Sequence, residues 1–248
     1  MKIAVCISHV PDTASKINIG NDGKSIDQAG LTYIINPYDE FAVEEALKTK
    51  EKFGGEVIAI SLGTDSSKES LRKALAMGVD SAVLLKTDKI LDSISVAKAI
   101  TEAIKEINPE LVFMGKQSVD YDNSITGQLV SEILGYNSVS VVVGLSIDGN
   151  KITAEREIEG GKEIIETQIP CVITAQKGLN EPRYASLKGI MSAKKKVIEE
   201  KILAESVSYS EIIRMRKPSI KQGGRIIGTD SSAVPELVRL LHEEAKVI

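Results

Sequence analysis

The sequence predicts an α/β protein with a mainly parallel sheet, an antiparallel extension of that sheet, and a C-terminal arm. Three observations carry this. Between Ile3 and Met114, short continuous apolar runs alternate with stretches of helical period, and parallel strands need such crossovers. From Val139 the pattern becomes β-rich, with period-two alternation and tight turn signals. From Lys177 onward Gly178, Pro182, Gly189, Pro218, Gly223 and Gly224 interrupt every regular pattern. The expected division is therefore an α/β body, 1–176, and an arm, 177–248.

Each element has a local reason. Ile3–Ile7 is a continuous apolar run, as in a strand covered on both faces. A polar excursion, Asn18–Gly30, precedes a short extended segment, Leu31–Ile35. Asn36 then stands as an N-cap, Pro37 suits the first helical position, and Asp39 and Glu40 sit where the helix dipole favours negative charge. Glu44 and Lys48 are spaced to pair one turn apart, and Gly54-Gly55 ends the helix. Val57–Ile60 is the next buried strand. Ser66 and Glu69 have the spacing of a capping box before a helix with Leu71, Ala74 and Leu75 on its apolar side, closed by Gly78. Ala82–Leu85 is a strand. Ser93 is placed to cap a helix with the stripe Ala97, Ile100, Ile104 and Ile107, which Asn108-Pro109 stops. Leu111–Met114 is a further strand. Beyond Gly135, Val139–Ile147, Lys151–Ile158, Lys162–Ile169 and Cys171–Ala175 read as strands of the antiparallel extension, with a hairpin at Asp148-Gly149. Pro235 opens a last short helix with Leu237, Leu240 and Leu241 on one side.

Composition excludes several functions. A net charge of −4 and an aromatic content of 4% without Trp argue against nucleic-acid binding. Cys6 and Cys171 both lie in apolar runs and no Cys/His cluster exists, so buried thiols are expected rather than a metal or catalytic thiol. No apolar run reaches membrane-spanning length and Met1–Ile7 is short for a signal peptide, so no membrane insertion and a cytoplasmic location are expected.

The candidate site is the loop GKQSVDYDNSITGQ, Gly115–Gln128. Loops between a strand and a helix are usually short, and this one is long and polar. Ligands of parallel sheets bind beyond the strands' carboxyl ends, where strand order reverses. The N–H groups of the following helix suit an anion, Lys116 suits a phosphate, and Asp120 or Asp122 suits ribose hydroxyls. No P-loop or dinucleotide fingerprint is present. Ser118 and Ser124 have no His nearby, so no catalytic residue is assigned. His9, after the first strand, is either a pocket residue or simply exposed. The Lys194–Lys196 cluster reads as a solvated face. Arg156 points away from Glu155 and Glu157, either as part of an exposed strand face or as a charged contact to a partner.

EREIEGGKEIIETQIPCVITA, followed by LNEPRYASLKGIMSAKKK, resembles the signature region of the electron transfer flavoprotein β subunit. NPYDEFAVEEALKTKE, ALAMGVD and LVFMGKQSVDYDNSITGQ are similar to that family too, in order, and the resemblance weakens only after about Val207. It implies a doubly wound, adenine-nucleotide-hydrolase-like fold whose arm wraps an α subunit. It implies a structural AMP in this subunit and an FAD bound mainly by the α subunit. The implied partners are acyl-CoA or related flavin dehydrogenases as donors and a membrane quinone oxidoreductase as acceptor. By position, the nucleotide contacts are Cys6, Asn36, Pro37, Tyr38, Asp39, Leu62, Gly115, Lys116, Gln117, Ser118, Val119, Asp120, Tyr121, Asp122, Asn123, Ser124, Ile125 and Thr126. Leu187 matches the apolar anchor that docks dehydrogenases, and Arg156 and Glu157 match positions that approach the α subunit's flavin domain.

Two departures bear on this. Lys188 stands where many members have proline. Electron-bifurcating members, which carry a second FAD reduced by NADH, tend to read Asp-Gly-Asp-Thr-Ala-Gln where this chain reads Asp120-Tyr121-Asp122-Asn123-Ser124-Ile125. Tyr121 in place of glycine restricts the backbone, which favours AMP over a second flavin. A stand-alone adenine-nucleotide-binding or hydrolysing module is the reading from another class, and the breaker-rich arm speaks against it.

Overall fold

The computed structural model describes residues 1–203, 207–219 and 223–248. Strands β1 (Lys2–Cys6), β4 (Glu56–Gly63), β5 (Ser81–Lys86) and β6 (Leu111–Gly115) form from the expected apolar runs. They lie in a nine-stranded sheet of order β11-β5-β4-β1-β6-β10-β7-β8-β9. Here β7 is Asn137–Asp148, β8 Lys151–Ile158, β9 Gly161–Gln168, β10 Cys171–Ala175 and β11 Ile198–Ile202. A separate antiparallel ribbon pairs β2 (His9–Pro11) with β3 (Tyr33–Ile35).

Helices cover both faces. On one, α1 (Pro37–Phe53) and α2 (Lys68–Met77) pack Ala42, Val43, Leu71 and Leu75 against Ile3, Val5 and Phe113. On the other, α3 (Ser93–Ile107) and α4 (Thr126–Leu134) pack Ile100, Ile104 and Val130 against Ala4, Ile60 and Val112. Burying side chains of this size stabilises the fold by about 1.5–3 kcal/mol each. The chain builds outward from β1 through β4 to β5, then returns to β1's other side as β6. Strand order therefore reverses between β1 and β6, and parallel sheets of this kind bind ligands at the carboxyl ends of such a strand pair.

Several expectations are corrected. Cys171–Ala175 is not part of the antiparallel extension. β10 runs parallel to both β6 and β7 and sits between them. All its residues are buried, and only a central strand has both faces covered. The antiparallel extension is β7-β8-β9. Ser66 and Glu69 make no capping box, because a 3-10 turn, Asp65–Ser67, delays the start of α2. The cap of α3 is Asp92, whose carboxylate accepts from Ser95 N, and Ser93 is the first helical residue. Glu44 does not pair with Lys48. Its carboxylate takes the Arg183 guanidinium at 2.8 Å, while Lys48 reaches Glu45 at 3.6 Å.

The segment expected as an arm begins on the body. Helix α5 (Leu187–Lys195) lies on α2 so closely that a Cβ on Gly189 would sit 2.2 Å from Ala76 O. β11 then pairs in parallel with β5 and buries Ile198. So the division at 176/177 leaves an edge strand of the body's sheet on the arm side. Further on, α6 (Val234–Glu243) buries Leu240 and leaves Leu237 and Val238 exposed.

Candidate functional site

Asp39 sits at the point where strand order reverses. Oδ2 accepts from Ser8 N at 2.7 Å, just beyond β1, and Oδ1 accepts from Gly115 N at 2.9 Å, at the end of β6. One buried carboxylate thus ties together the two strand exits that bound the crevice. Gly115 is required there, since a Cβ would lie 2.3 Å from Asp39 Oδ1. Burial pushes the Asp39 carboxyl up to about 7, against the opposing effect of the N–H groups that bond it.

Asn36 is fully buried and does not cap α1 with its side chain. Instead its Nδ2 donates to Gln117 O at 2.8 Å, and its Oδ1 accepts from Val119 N at 3.2 Å. Both ends of the amide hold the backbone of the loop. The helix-start signature in the sequence was real, but the polar side chains of that start face the loop.

Within the loop the hub is Gln117. Its Nε2 donates to Asp122 Oδ1 at 2.5 Å, and its Oε1 accepts from Ser124 Oγ at 2.9 Å. Asp122 and Ser124 both have φ of 51°, so the left-handed turns fall on them and not on Tyr121. Ser118 Oγ donates to Asp120 Oδ1. Asn123 Nδ2 donates to Ser93 Oγ at 2.9 Å, which fastens the loop tip to the first turn of α3. Tyr121 and Ile125 are exposed, and the Tyr121 hydroxyl is raised above its usual range by burial and then by the Asp120 charge.

Ile125 is the N-cap of α4 and brings no side-chain acceptor, and the first turn from Thr126 carries no acidic residue. Its leading N–H groups therefore suit an anion. A Cβ on Gly127 would meet Thr174 Cγ2 at 2.4 Å, so glycine lets that turn press against β10. The Lys116 ammonium stands 5.1 Å from the Tyr38 ring centroid, a cation on an aromatic face at the same rim. Pro37 is the first residue of α1, and Leu62, near the end of β4, is half-buried against the α3 layer. Cys6 ends β1 and is buried. Burial, followed by the Asp39 charge, drives its thiol far above the ordinary range, so its accessible polarity is backbone.

His9 is neither freely exposed nor paired on both sides. Its Nδ1 is 2.8 Å from Ser70 Oγ, its ring stacks on Tyr33 with centroids 4.9 Å apart, and its Nε2 is buried without a partner among the described residues. Burial lowers its pKa from the usual value, with the Glu69 charge opposing.

The structure does not bring the other expected residues to this crevice. Arg156, on β8, reaches Glu163 and Ser140 at 3.3 Å, and Glu157 accepts from Gln176 at 2.8 Å. Leu187 opens α5 with 83% of its surface exposed. What the sequence left unremarked is the mounting below it. Arg183 donates from Nε and Nη2 to the buried Glu44 at 2.8 and 2.9 Å and from Nη1 to Glu51 at 2.5 Å. Asn180 bonds Phe41 O and Glu45, Ser186 caps α5 through Gly189 N, and Arg72 donates to Ala193 O at the helix's other end. Apart from the Ser186 cap, the partners lie over a hundred residues apart, so no local pattern announces them.

A family model described as "Electron transfer flavoprotein domain" matches residues 24–206. The chain is 36% identical to the electron transfer flavoprotein subunit beta of Bradyrhizobium diazoefficiens, with all of both chains covered. It is 38% identical to the Bacillus subtilis protein of that name, again over both whole chains. It is 40% identical to the one from Syntrophomonas wolfei, over 90% of this chain and 88% of the relative.

Proposed function

The chain belongs to the electron transfer flavoprotein family as a β subunit, and from that premise we propose that it binds AMP structurally and scaffolds an FAD-bearing α subunit. The observation that carries the AMP part is the clamped loop at the β1/β6 crevice. Asn36 and Asp39 fix its backbone, the α4 N-terminus offers N–H groups for a phosphate, and Lys116 adds positive charge. Asp120 is at the rim to accept from ribose hydroxyls. No flavin-scale chemistry is needed of these residues: they hold and orient a ligand and keep β1 and β6 in register. In the assembly, redox chemistry is supplied by the FAD held mainly by the α subunit.

Electrons enter, on this reading, from acyl-CoA or related flavin dehydrogenases docked at Leu187 and leave to a membrane quinone oxidoreductase. A largely exposed leucine on a helix tied down from beneath suits a partner's apolar pocket. Among the described residues no helix is long and apolar enough to cross a membrane.

The test is to co-express the chain with its α subunit, purify the complex and identify the released nucleotides by mass spectrometry. One AMP and one FAD per heterodimer are expected. Two FAD would overturn this reading in favour of an electron-bifurcating subunit that takes electrons from NADH. A stable, ATP-hydrolysing single chain would instead point to the stand-alone module.

A further inference from the structure

Residues 207–217 are fastened at both ends. At one end Asp92 Oδ2 accepts from Tyr209 N at 2.5 Å, Ser210 N at 2.8 Å and Ser208 Oγ at 3.3 Å. Ser95 Oγ donates to Val207 O at 2.7 Å, and the Lys98 ammonium lies 4.5 Å from the Tyr209 ring centroid. At the other end Lys24 pairs with Glu211 at 2.6 Å, Met215 N donates to Gly23 O at 2.7 Å, and Lys217 Nζ donates to Asn18 Oδ1 at 3.0 Å. Ser210 and Met215 are five residues apart, so these anchors are separated by at most about 17 Å of extended chain.

The two anchors belong to different layers. The first is the amino end of α3, which follows β5 at the sheet's carboxyl side. The second is the turn carried between β2 and β3, the ribbon that meets α2 through His9 and Ser70. The nucleotide loop spans the same gap. Its tip is tied to α3 through Asn123 and Ser93, and its other limb is held by Asn36, the residue that follows β3 of the ribbon, through Gln117 O and Val119 N. Strap and loop therefore share one anchorage, because the neighbouring residues Asp92 and Ser93 hold both, and the far end of each is held by the β2/β3 ribbon or the turn it carries.

We propose that 207–217 is a strap that roofs the nucleotide crevice, and that Asp92 is the positioning residue that keeps it shut. The proposal rests on the reading of the loop as an AMP site and adds what governs the nucleotide's escape. Asp92 has two separable tasks. Oδ1 accepts from Ser95 N at 2.9 Å and caps α3, while Oδ2 holds the strap. Serine is an equally good N-cap but has a single side-chain oxygen. Asp92→Ser therefore keeps the helix start and loses the strap's acceptor.

The experiment uses the purified complex with its α subunit and measures exchange of bound nucleotide against excess isotopically labelled AMP. Hydrogen exchange is followed at 207–217 and at α3. Asp92→Ser is expected to speed nucleotide exchange on the order of tenfold, since charge-assisted bonds are lost at a solvated site. Faster hydrogen exchange at Tyr209 and Ser210 with unchanged protection of α3 should accompany it. Glu211→Gln, which weakens the other anchor, is expected to act in the same direction with a smaller effect. Nucleotide exchange at the wild-type rate despite a freed strap overturns the proposal and leaves the AMP reading standing. Loss of α3 protection in Asp92→Ser together with no effect of Glu211→Gln also overturns it. A wild-type complex that holds no AMP overturns both readings.

Discussion

At the β1/β6 crevice, buried polar side chains reach outward to hold backbone; at α5, polar side chains lie underneath and the apolar ones face solvent. Asn36, Asp39 and Gln117 use both ends of their polar groups on the loop and its surroundings. Arg183, Asn180 and Arg72 tie α5 and its approach to α1 and α2, and Ser186 caps α5, while Tyr184, Leu187 and Met191 stay exposed. On the function proposed above, both regions are pre-organised, for opposite clients. A small polar ligand needs preset donors and acceptors. A protein partner needs an apolar anchor already ordered, because ordering a loop on binding costs affinity.

The largest effect is expected at the crevice. Asp39→Ala leaves the N–H groups of Ser8 and Gly115 unsatisfied in a buried place, a loss of about 2–4 kcal/mol. The complex should unfold at lower temperature and purify with little bound nucleotide. Retention of both properties would break the contrast, because the loop would not depend on its clamp.

Arg183→Ala should cost less, about 1–3 kcal/mol, because it strands the buried Glu44 while the guanidinium itself is a third exposed and already screened by water. The sharper readout is kinetic. KM for the donor dehydrogenase should rise several-fold with kcat and nucleotide content held, since the docking helix loses its mounting and the crevice does not. A fall in nucleotide content would show that the two regions are not independent.

Asp39 also gives a pH signature. Its carboxyl is raised from 3.8 to about 7 in the folded chain. Between those values the folded state binds more protons than the unfolded one. This stabilising contribution is complete below about pH 4 and is lost as pH rises through 7, at no more than about 1.4 kcal/mol per pH unit. Asp39→Asn cannot titrate, so the wild-type-minus-variant difference in stability, from urea unfolding at pH 5 to 8, should decline with pH and level off above 7. A flat difference would place the Asp39 pKa outside that window.

Leu187→Ala should have the smallest effect on stability, within about 0.5 kcal/mol for so exposed a side chain. Electron acceptance from the dehydrogenase should nonetheless slow on the order of tenfold, as for a central anchor. Unchanged rates at low protein concentration would move the docking point elsewhere on the exposed face of α5.

Much of this was legible in the chain. The apolar runs of β1, β4, β5 and β6 are buried on both faces and could be nothing else. The long polar loop after β6 stood where parallel sheets bind ligands. The strand β11 was hidden because only Ile198 turns to the core, ahead of the charged run Glu199-Glu200-Lys201 that an edge strand shows to water. Position β10 was misplaced for a different reason: strand type follows from a segment's own pattern, but neighbour choice depends on what the rest of the sheet leaves open. The starts of α1, α2, α3 and α6 were found to within a residue or two and α5 was missed, while the caps at Ser66 and Ser93 were misassigned because each depends on how the preceding turn enters.

The sequence by itself determined the α/β class, the crevice loop and the family, because period, breakers and ordered motifs are properties of neighbouring residues. Only the tertiary structure decided what the polar side chains do. Asp39 joins segments 31 and 76 residues away, Arg183 reaches 139 residues back to Glu44, and Asp92 reaches 117 residues forward to Tyr209. A side chain's hydrogen-bonding chemistry is written in its residue type, but its partner is whichever backbone or charge the packed core brings within about 3 Å.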